Sequence, residues 1–312
     1  MKILANDGID PAGKALLEQA GFVVDTTKIA QDELPLRLKD FDGIIVRSAT
    51  TVREPLMDAC GGKLKFIGRA GVGLDNIDVE AAKARQILVL NTPAASSLSV
   101  AELVFAHLFG LSRFVHRSNR ALSEGTADEF NRLKKEYASG WELFGKTLGI
   151  IGFGRIGQEV GRIGKGIGME IVVCDVLLEA SDAARAVEQQ HGVRVVAFDE
   201  LLAVADCVSL HTPGLDKPLI DAAAMARMKK GAVLINCSRG GIVDEQALLE
   251  ALDAGQLLAA GLDVFANEPT PDARLLQHPR ISVSPHIGAS TAEAQERVGI
   301  EMARRILEAF GK

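Results

Sequence analysis

Apolar residues along this chain fall in short runs, each followed by a polar turn and then a stretch of helical spacing. In the first ninety or so residues the runs are Ile3–Ala5, Phe22–Val24, Ile44–Val46, Phe66–Gly68 and Leu88–Leu90. Runs this short, without polar alternation, suit strands covered on both faces, as in a parallel sheet clothed by helices. The pattern predicts a small doubly wound α/β domain.

After Pro93 the pattern changes. From Ser99 to about Arg117, Val100, Leu103, Val104, Phe105, Leu108, Phe109, Leu111 and Phe114 cover nearly the whole circumference of a helix. A helix apolar all round is expected to be buried between bodies, so this one is expected to connect two domains and to offer a subunit contact. Residues 118–140 are polar, as in a surface helix with loops. From Thr147 the strand pattern resumes at Leu148–Ile151, Ile171–Cys174, Val193–Val196, Cys207–Leu210, Val233–Ile235, Leu258–Leu262 and Ile281–Val283. That predicts a second doubly wound unit with more strands. Val298, Met302, Ile306 and Phe310, four residues apart, predict a final amphipathic helix. Its periodicity does not say which domain it packs on.

Composition narrows the function classes. The 312 residues exceed what a single core usually fills. A net charge of −6 gives no general electrostatic reason to bind nucleic acid, so an anionic substrate needs locally placed cations. The four cysteines, Cys60, Cys174, Cys207 and Cys237, are scattered and never form Cys-x-x-Cys. They read as small buried hydrophobes in a reducing compartment. The N-terminal segment breaks too early for a signal peptide, and no apolar run approaches the ~18 residues of a membrane helix. A cytoplasmic location without membrane contact is expected.

Gly152-Phe153-Gly154-Arg155-Ile156-Gly157 follows the run Leu148–Ile151 and opens a helical stretch, and Asp175 stands eighteen residues beyond Gly157 at the end of the next run. The first glycine permits a tight turn, the second lets a pyrophosphate approach the backbone, and the third lets helix and strand pack closely. The helix N-terminus offers free N–H groups to phosphates. Asp175 would accept hydrogen bonds from ribose hydroxyls and repel a 2′-phosphate, favouring NAD over NADP. Alone the glycine pattern is weak; in this strand–turn–helix context it is strong. Gly140–Thr147 also satisfies the P-loop pattern letter for letter. Bulky Trp141, Leu143 and Phe144 fill that loop, however, and a strand follows where a helix is needed.

Hydride transfer at an alcohol carbon needs a group to hold the carboxylate and a base to take the hydroxyl proton. Both should lie at the C-terminal ends of strands, where doubly wound folds bind ligands. Arg239 stands there in Asn-Cys-Ser-Arg-Gly-Gly, and its planar fork suits a carboxylate. His286 stands there in Ser-Pro-His-Ile-Gly, with the side chain most often used as general acid or base. Glu268, in Ala-Asn-Glu-Pro, could pair with His286 and steady the charge it takes up. No histidine or cysteine spacing fits a metal site.

Arg239, Glu268 and His286, in that order after the glycine motif, resemble the Arg–Glu–His set of the D-2-hydroxyacid dehydrogenase family. Ile235–Glu245, Gly261–Pro269 and Ser284–Thr291 carry the likeness, which runs through essentially the whole chain. It implies a Rossmann NAD domain, residues 99–288, inserted in a flavodoxin-like substrate domain of residues 1–98 plus 289–312, with the active site in the cleft. It also implies that Arg239 binds the substrate, that His286 is the acid/base and that Glu268 is its partner. Cofactor contacts would come from Arg155, Ile156, Thr212, Pro213, Cys237, Ser238, Gly288 and Ala289, with Asp263 at the nicotinamide carboxamide. Val72 and Gly73 would offer backbone N–H groups to the substrate, and a homodimer through the nucleotide domains is expected.

Within the family, the strings at 45–52 and 68–78 are similar to members that oxidise 3-phosphoglycerate to 3-phosphohydroxypyruvate in serine synthesis. They put Arg47 and Arg69 in the substrate domain, as cations suited to a phosphate. The alternative readings are a reductase of glyoxylate, hydroxypyruvate or another 2-keto acid, and an NAD-sensing protein resembling the family's corepressors. The chain stops after the last helix, so feedback through a further C-terminal regulatory domain is not expected.

Overall fold

The computed structural model describes residues 1–178 and 181–311. Five parallel strands form one sheet: β1 (Lys2–Ala5), β2 (Val23–Asp25), β3 (Gly43–Val46), β4 (Phe66–Arg69) and β5 (Leu88–Asn91). Seven form another: β6 (Thr147–Ile151), β7 (Glu170–Cys174), β8 (Arg194–Val195), β9 (Cys207–Leu210), β10 (Ala232–Asn236), β11 (Leu257–Leu262) and β12 (Ile281–Val283). Each run singled out by its apolar character overlaps one of these strands, with Phe22, Val193 and Val196 falling just outside theirs. Burial explains the pattern: β3, β9 and β10 are buried at every residue, whereas edge strands β2 and β5 expose Val23 and Leu88.

The order β2-β1-β3-β4-β5 is the flavodoxin-like one, and β12-β11-β10-β9-β6-β7-β8 contains the Rossmann order with one further strand at its edge. The chain divides into two compact units, Met1–Ser99 with Ala289–Lys312, and Val100–Gly288. The P-loop-like segment leads straight into β6, so no helix receives a phosphate there.

Helices that matter for the site are α1 (Pro11–Gln19), α2 (Ser97–Ser112), α3 (Val115–Glu124), α4 (Phe130–Glu136), α5 (Arg155–Gly166) and α6 (Ala292–Ala309). The single helix expected from Ser99 to Arg117 is instead broken into α2 and α3, bent by 59°. Two contacts explain the break. The Ser112 carbonyl accepts from the Trp141 amide at 3.0 Å, and Phe114 takes a left-handed conformation (φ 53°) with its ring against Tyr137. Nor is α2 enclosed all round: Val104, Phe105 and Leu108 enter the core of the second unit, while Phe109 is 45% exposed. No single described helix is long and apolar enough to cross a membrane.

The final helix α6 packs on the first unit, where Val298, Met302, Ala303 and Ile306 meet Ile3, Ala5, Ile45 and Phe66. It crosses α1 at two glycines. A Cβ at Gly13 would stand 2.3 Å from the Gly299 carbonyl oxygen, a backbone atom that cannot step aside. Gly13→Ala should therefore force the helices apart at about 1–3 kcal/mol, more than offsetting the ~1 kcal/mol that alanine gains in a helix. A fall in thermal midpoint is the expected result, and a variant melting with or above the parent would contradict the close crossing.

Candidate active site

The turn from β6 into α5 is built on three glycines, two of which cannot be larger. Gly152 has φ +90°, and a Cβ there would lie 2.5 Å from the His211 carbonyl oxygen. A Cβ at Gly157 would lie 2.3 Å from the Gly152 carbonyl oxygen, whereas Gly154 has open space above it. Gly154 caps α5 without a side-chain hydrogen bond, which leaves the first-turn amides around Arg155 and Ile156 to an anion. Asp175, just past β7, is held by two backbone donors: Phe153 N–H to Oδ2 (2.7 Å) and Leu177 N–H to Oδ1 (2.9 Å). Each oxygen keeps a lone pair. Beside Gly152, the Thr212 hydroxyl and His211 Nδ1 are buried without a protein partner. An unsatisfied polar lining around an open glycine turn fits a dinucleotide.

Past β10, Asn236 shapes the loop that presents Arg239. Its Oδ1 accepts from the Ser238 amide (3.1 Å) and hydroxyl (2.8 Å), and its Nδ2 donates to the Arg239 carbonyl at 2.9 Å. The Arg239 guanidinium donates to the Ser238 carbonyl at 2.7 Å. Gly240 passes so close to Phe265 that a Cβ would lie 1.9 Å from the latter's carbonyl oxygen, so the loops after β10 and β11 touch. Cys237 is buried, and burial pushes its thiol up, which leaves it no nucleophilic part. The four cysteines are free; three are buried and Cys174 only partly so.

The loops after β11 and β12 are joined by carboxylates. Glu268 Oε1 accepts from the Phe265 amide (3.0 Å), and Oε2 pairs with His286 Nδ1 at 2.7 Å. Asp263, only 1% exposed, accepts from the amides of Ile287 (2.9 Å) and Gly288 (2.8 Å) and from the Ser284 hydroxyl (2.6 Å). It thus grips both sides of His286, whose backbone is left-handed at φ 55°. The His286 side chain is 47% exposed, so a ligand can reach the ring while Glu268 occupies Nδ1. Nε2 is left for proton exchange.

The first unit has its own polar centre. Asp7, beyond β1, accepts from Lys28 Nζ (2.5 Å), the Thr50 hydroxyl (2.7 Å) and amide (3.0 Å), and the Arg47 amide (2.7 Å). Burial alone would raise its carboxyl, but these donors hold it below the usual carboxylate value. Asn76 Nδ2 donates to the carbonyls of Arg47 and Thr50, each at 2.7 Å. The Arg47 backbone is thereby fixed from both sides. A cavity of about 260 Å³ opens at the ends of β1 and β3, lined by Asp7, Asp10, Arg47, Ala70, Gln295 and Val298. Arg69 behaves differently: it donates to the Ala70 carbonyl (3.0 Å) and fills the space where Gly71 lacks a Cβ. The Val72 carbonyl accepts from Asn91 at 2.8 Å, which fixes the stretch with Gly73.

Asp7 and Asn76 carry no recognisable motif. Asp7 could have been singled out by its strand-end position alone; Asn76 could not. No group of three or more histidine, cysteine or acidic side chains among the described residues could hold a metal.

His211 supplies a test of this packing. Burial pushes its imidazole down to about 3, so it stays neutral in the folded chain. The unfolded chain takes up that proton below its ordinary value of about 6.5, so the neutral ring's contribution is complete above that pH and is lost as pH falls toward 3. The urea midpoint should drop between pH 7 and pH 5, and less steeply in His211→Gln. Equal slopes in the two proteins would contradict the buried neutral ring.

Residues 105–288 match the D-isomer specific 2-hydroxyacid dehydrogenase NAD-binding domain. Over 312 residues, 99% of this chain, it is 41% identical to the chloroplastic D-3-phosphoglycerate dehydrogenase 2 of Arabidopsis thaliana. This chain spans about half the length of that relative, 48%. A hydroxypyruvate reductase of Thermotoga maritima is 40% identical over 316 residues, 99% of this chain and 98% of the reductase. Among solved structures, a glyoxylate reductase from Paecilomyes thermophila superposes with TM-score 0.87 at 29% identity, covering 100% of this chain and 96% of that one.

Proposed function

The chain belongs to the D-isomer specific 2-hydroxyacid dehydrogenase family and binds NAD, and on that premise we propose that it oxidises 3-phosphoglycerate to 3-phosphohydroxypyruvate, as in serine synthesis. The bound nicotinamide supplies the hydride acceptor. Arg239 holds the substrate carboxylate through its guanidinium fork. His286 takes the C2 hydroxyl proton on Nε2, and Glu268, paired with Nδ1, stabilises the imidazolium that results. Acid–base help of this kind supplies about 10²–10⁴-fold in rate. Asp263 keeps His286 in place by gripping the backbone that follows it. The ribose contact proposed for Asp175 favours NAD over NADP.

The observation that carries the phosphorylated substrate is the cavity at Arg47. In the order β2-β1-β3-β4-β5 the connections reverse between β1 and β3, where doubly wound sheets bind ligands. Asp7 there is already neutralised by Lys28 and hydrogen-bonded on both oxygens, and Asp10 accepts from the Ala12 amide at 2.9 Å, so the positive charge of the lining comes from Arg47. Arg69, folded over its own loop, shapes the neighbouring backbone.

A second reading, reduction of hydroxypyruvate or glyoxylate, draws support from the likeness to the hydroxypyruvate reductase, 40% identical over 99% of this chain, and to the glyoxylate reductase structure. An NAD-sensing role is disfavoured by the assembled His286–Glu268 pair. Phe109, Val115, Leu122 and Phe130, exposed on successive helices α2 to α4, are the surface we assign to a homodimer. The four free cysteines fit a reducing, cytoplasmic setting.

Arg47→Gln discriminates between the substrates. Loss of a charge-assisted hydrogen bond, about 1.5–3 kcal/mol, should raise KM for 3-phosphoglycerate roughly ten- to a hundredfold. KM for unphosphorylated 2-hydroxy acids should hardly move. Equal effects on both, or none on either, would remove the phosphate from the account.

A further inference from the structure

On α2, far in sequence from the strand-end loops, His107 is 5% exposed and uses both ring nitrogens. Nδ1 lies 2.8 Å from the Ser282 hydroxyl and Nε2 lies 3.0 Å from the Ser284 hydroxyl. The Ser284 hydroxyl donates to Asp263 at 2.6 Å, so its proton is committed. It can only accept from His107, which places the imidazole proton on Nε2 and makes Nδ1 the acceptor for Ser282. The result is one chain of donors running Ser282, His107, Ser284, Asp263, with a single consistent direction. Space for the ring is built in: a Cβ at Gly261 would lie 2.9 Å from the His107 Cβ and 3.1 Å from its Cγ. Burial lowers the imidazole's proton affinity and keeps the ring neutral, as the chain requires, against the opposing pull of Asp263.

We propose that His107 is a positioning residue for the hydride-transfer step: by orienting the Ser284 hydroxyl it fixes the Asp263 carboxylate, and through Asp263 the turn that carries His286. The proposal rests on the acid/base role given to His286 above. Asp263 grips that turn with two oxygens. If Ser284 is free to rotate, one of the three donors leaves, and the carboxylate can swing away from the Ile287 and Gly288 amides. A misplacement of about 1 Å at a reacting group costs up to about 10²-fold in rate. Substrate binding through Arg239 does not depend on this chain, so the cost falls on kcat and leaves the substrate KM alone.

The test is a double-mutant cycle in the full chain, with NAD and whichever 2-hydroxy acid turns over fastest. His107→Leu and Ser284→Ala should each lower kcat about ten- to a hundredfold, with substrate KM unchanged. The double variant should fall no further than the worse single one, because both break the same chain. His107→Gln, which retains an amide donor toward Ser284, should recover most of the rate. Multiplying losses, a fall in KM-dependent terms alone, or a folded His107→Leu with parental kcat would overturn the proposal. Should His107→Leu melt below assay temperature, His107→Met takes its place in the cycle. His286→Asn separates the two levels: if it keeps its rate, the acid/base reading itself fails. If it is inactive while the cycle is multiplicative, only the role of His107 fails.

Discussion

The buried carboxylate of Asp263 is the interaction on which the reactive edge of the seven-stranded sheet depends. The chain leaving β12 must turn sharply to present His286, and does so with that residue in a left-handed conformation that a bulky side chain resists. The N–H groups of Ile287 and Gly288 would be stranded by the turn, and Asp263 accepts both. A carboxylate 1% exposed would itself be costly without such donors. Each requirement is met by the other, and Glu268 then needs only one further contact, 2.7 Å to Nδ1, to fix the ring. Strain at the turn and burial of the charge are thus settled together, next to the ring to which we assign the proton exchange.

Parallel sheets explain why the other groups gather nearby. All strands in such a sheet point their C-terminal ends the same way, so residues distant in sequence share one edge. Gly152, Asp175, Thr212, Arg239, Asp263 and His286 each follow a different strand of the second unit. In the first unit, Asp7 follows β1 and Arg47 follows β3, and a cavity lies where the connections reverse. Neither unit uses a motif of contiguous residues to build its chemistry, apart from the glycine turn, whose tight spacing is dictated by backbone contact.

Much of this was legible in the sequence. Short apolar runs revealed the strands because burial on both faces leaves no room for polar alternation, and strand ends then singled out Arg239 and His286. The break at Phe114 was not legible. It depends on the Trp141 amide reaching Ser112, a contact 29 residues away that no local period records. The site of the last helix was equally silent in its own spacing, since the Gly13–Gly299 crossing involves both partners. Asn76 and His107 escaped notice for a related reason: they act on other side chains or on backbone, and a lone histidine in an apolar helix reads as filler. Arg69 shows the converse, a cation placed in the right string that folds back over Gly71.

The central claim is direct hydride transfer from C2 of a D-2-hydroxy acid, with His286 taking the proton. Incubating the chain with NAD and D-3-phosphoglycerate carrying deuterium at C2 tests it most directly. Deuterium is expected on the reduced nicotinamide and not in the water, and His286→Asn should abolish its appearance. Label washed into solvent, or no reduced cofactor with this or any other 2-deuterated hydroxy acid, would contradict the account.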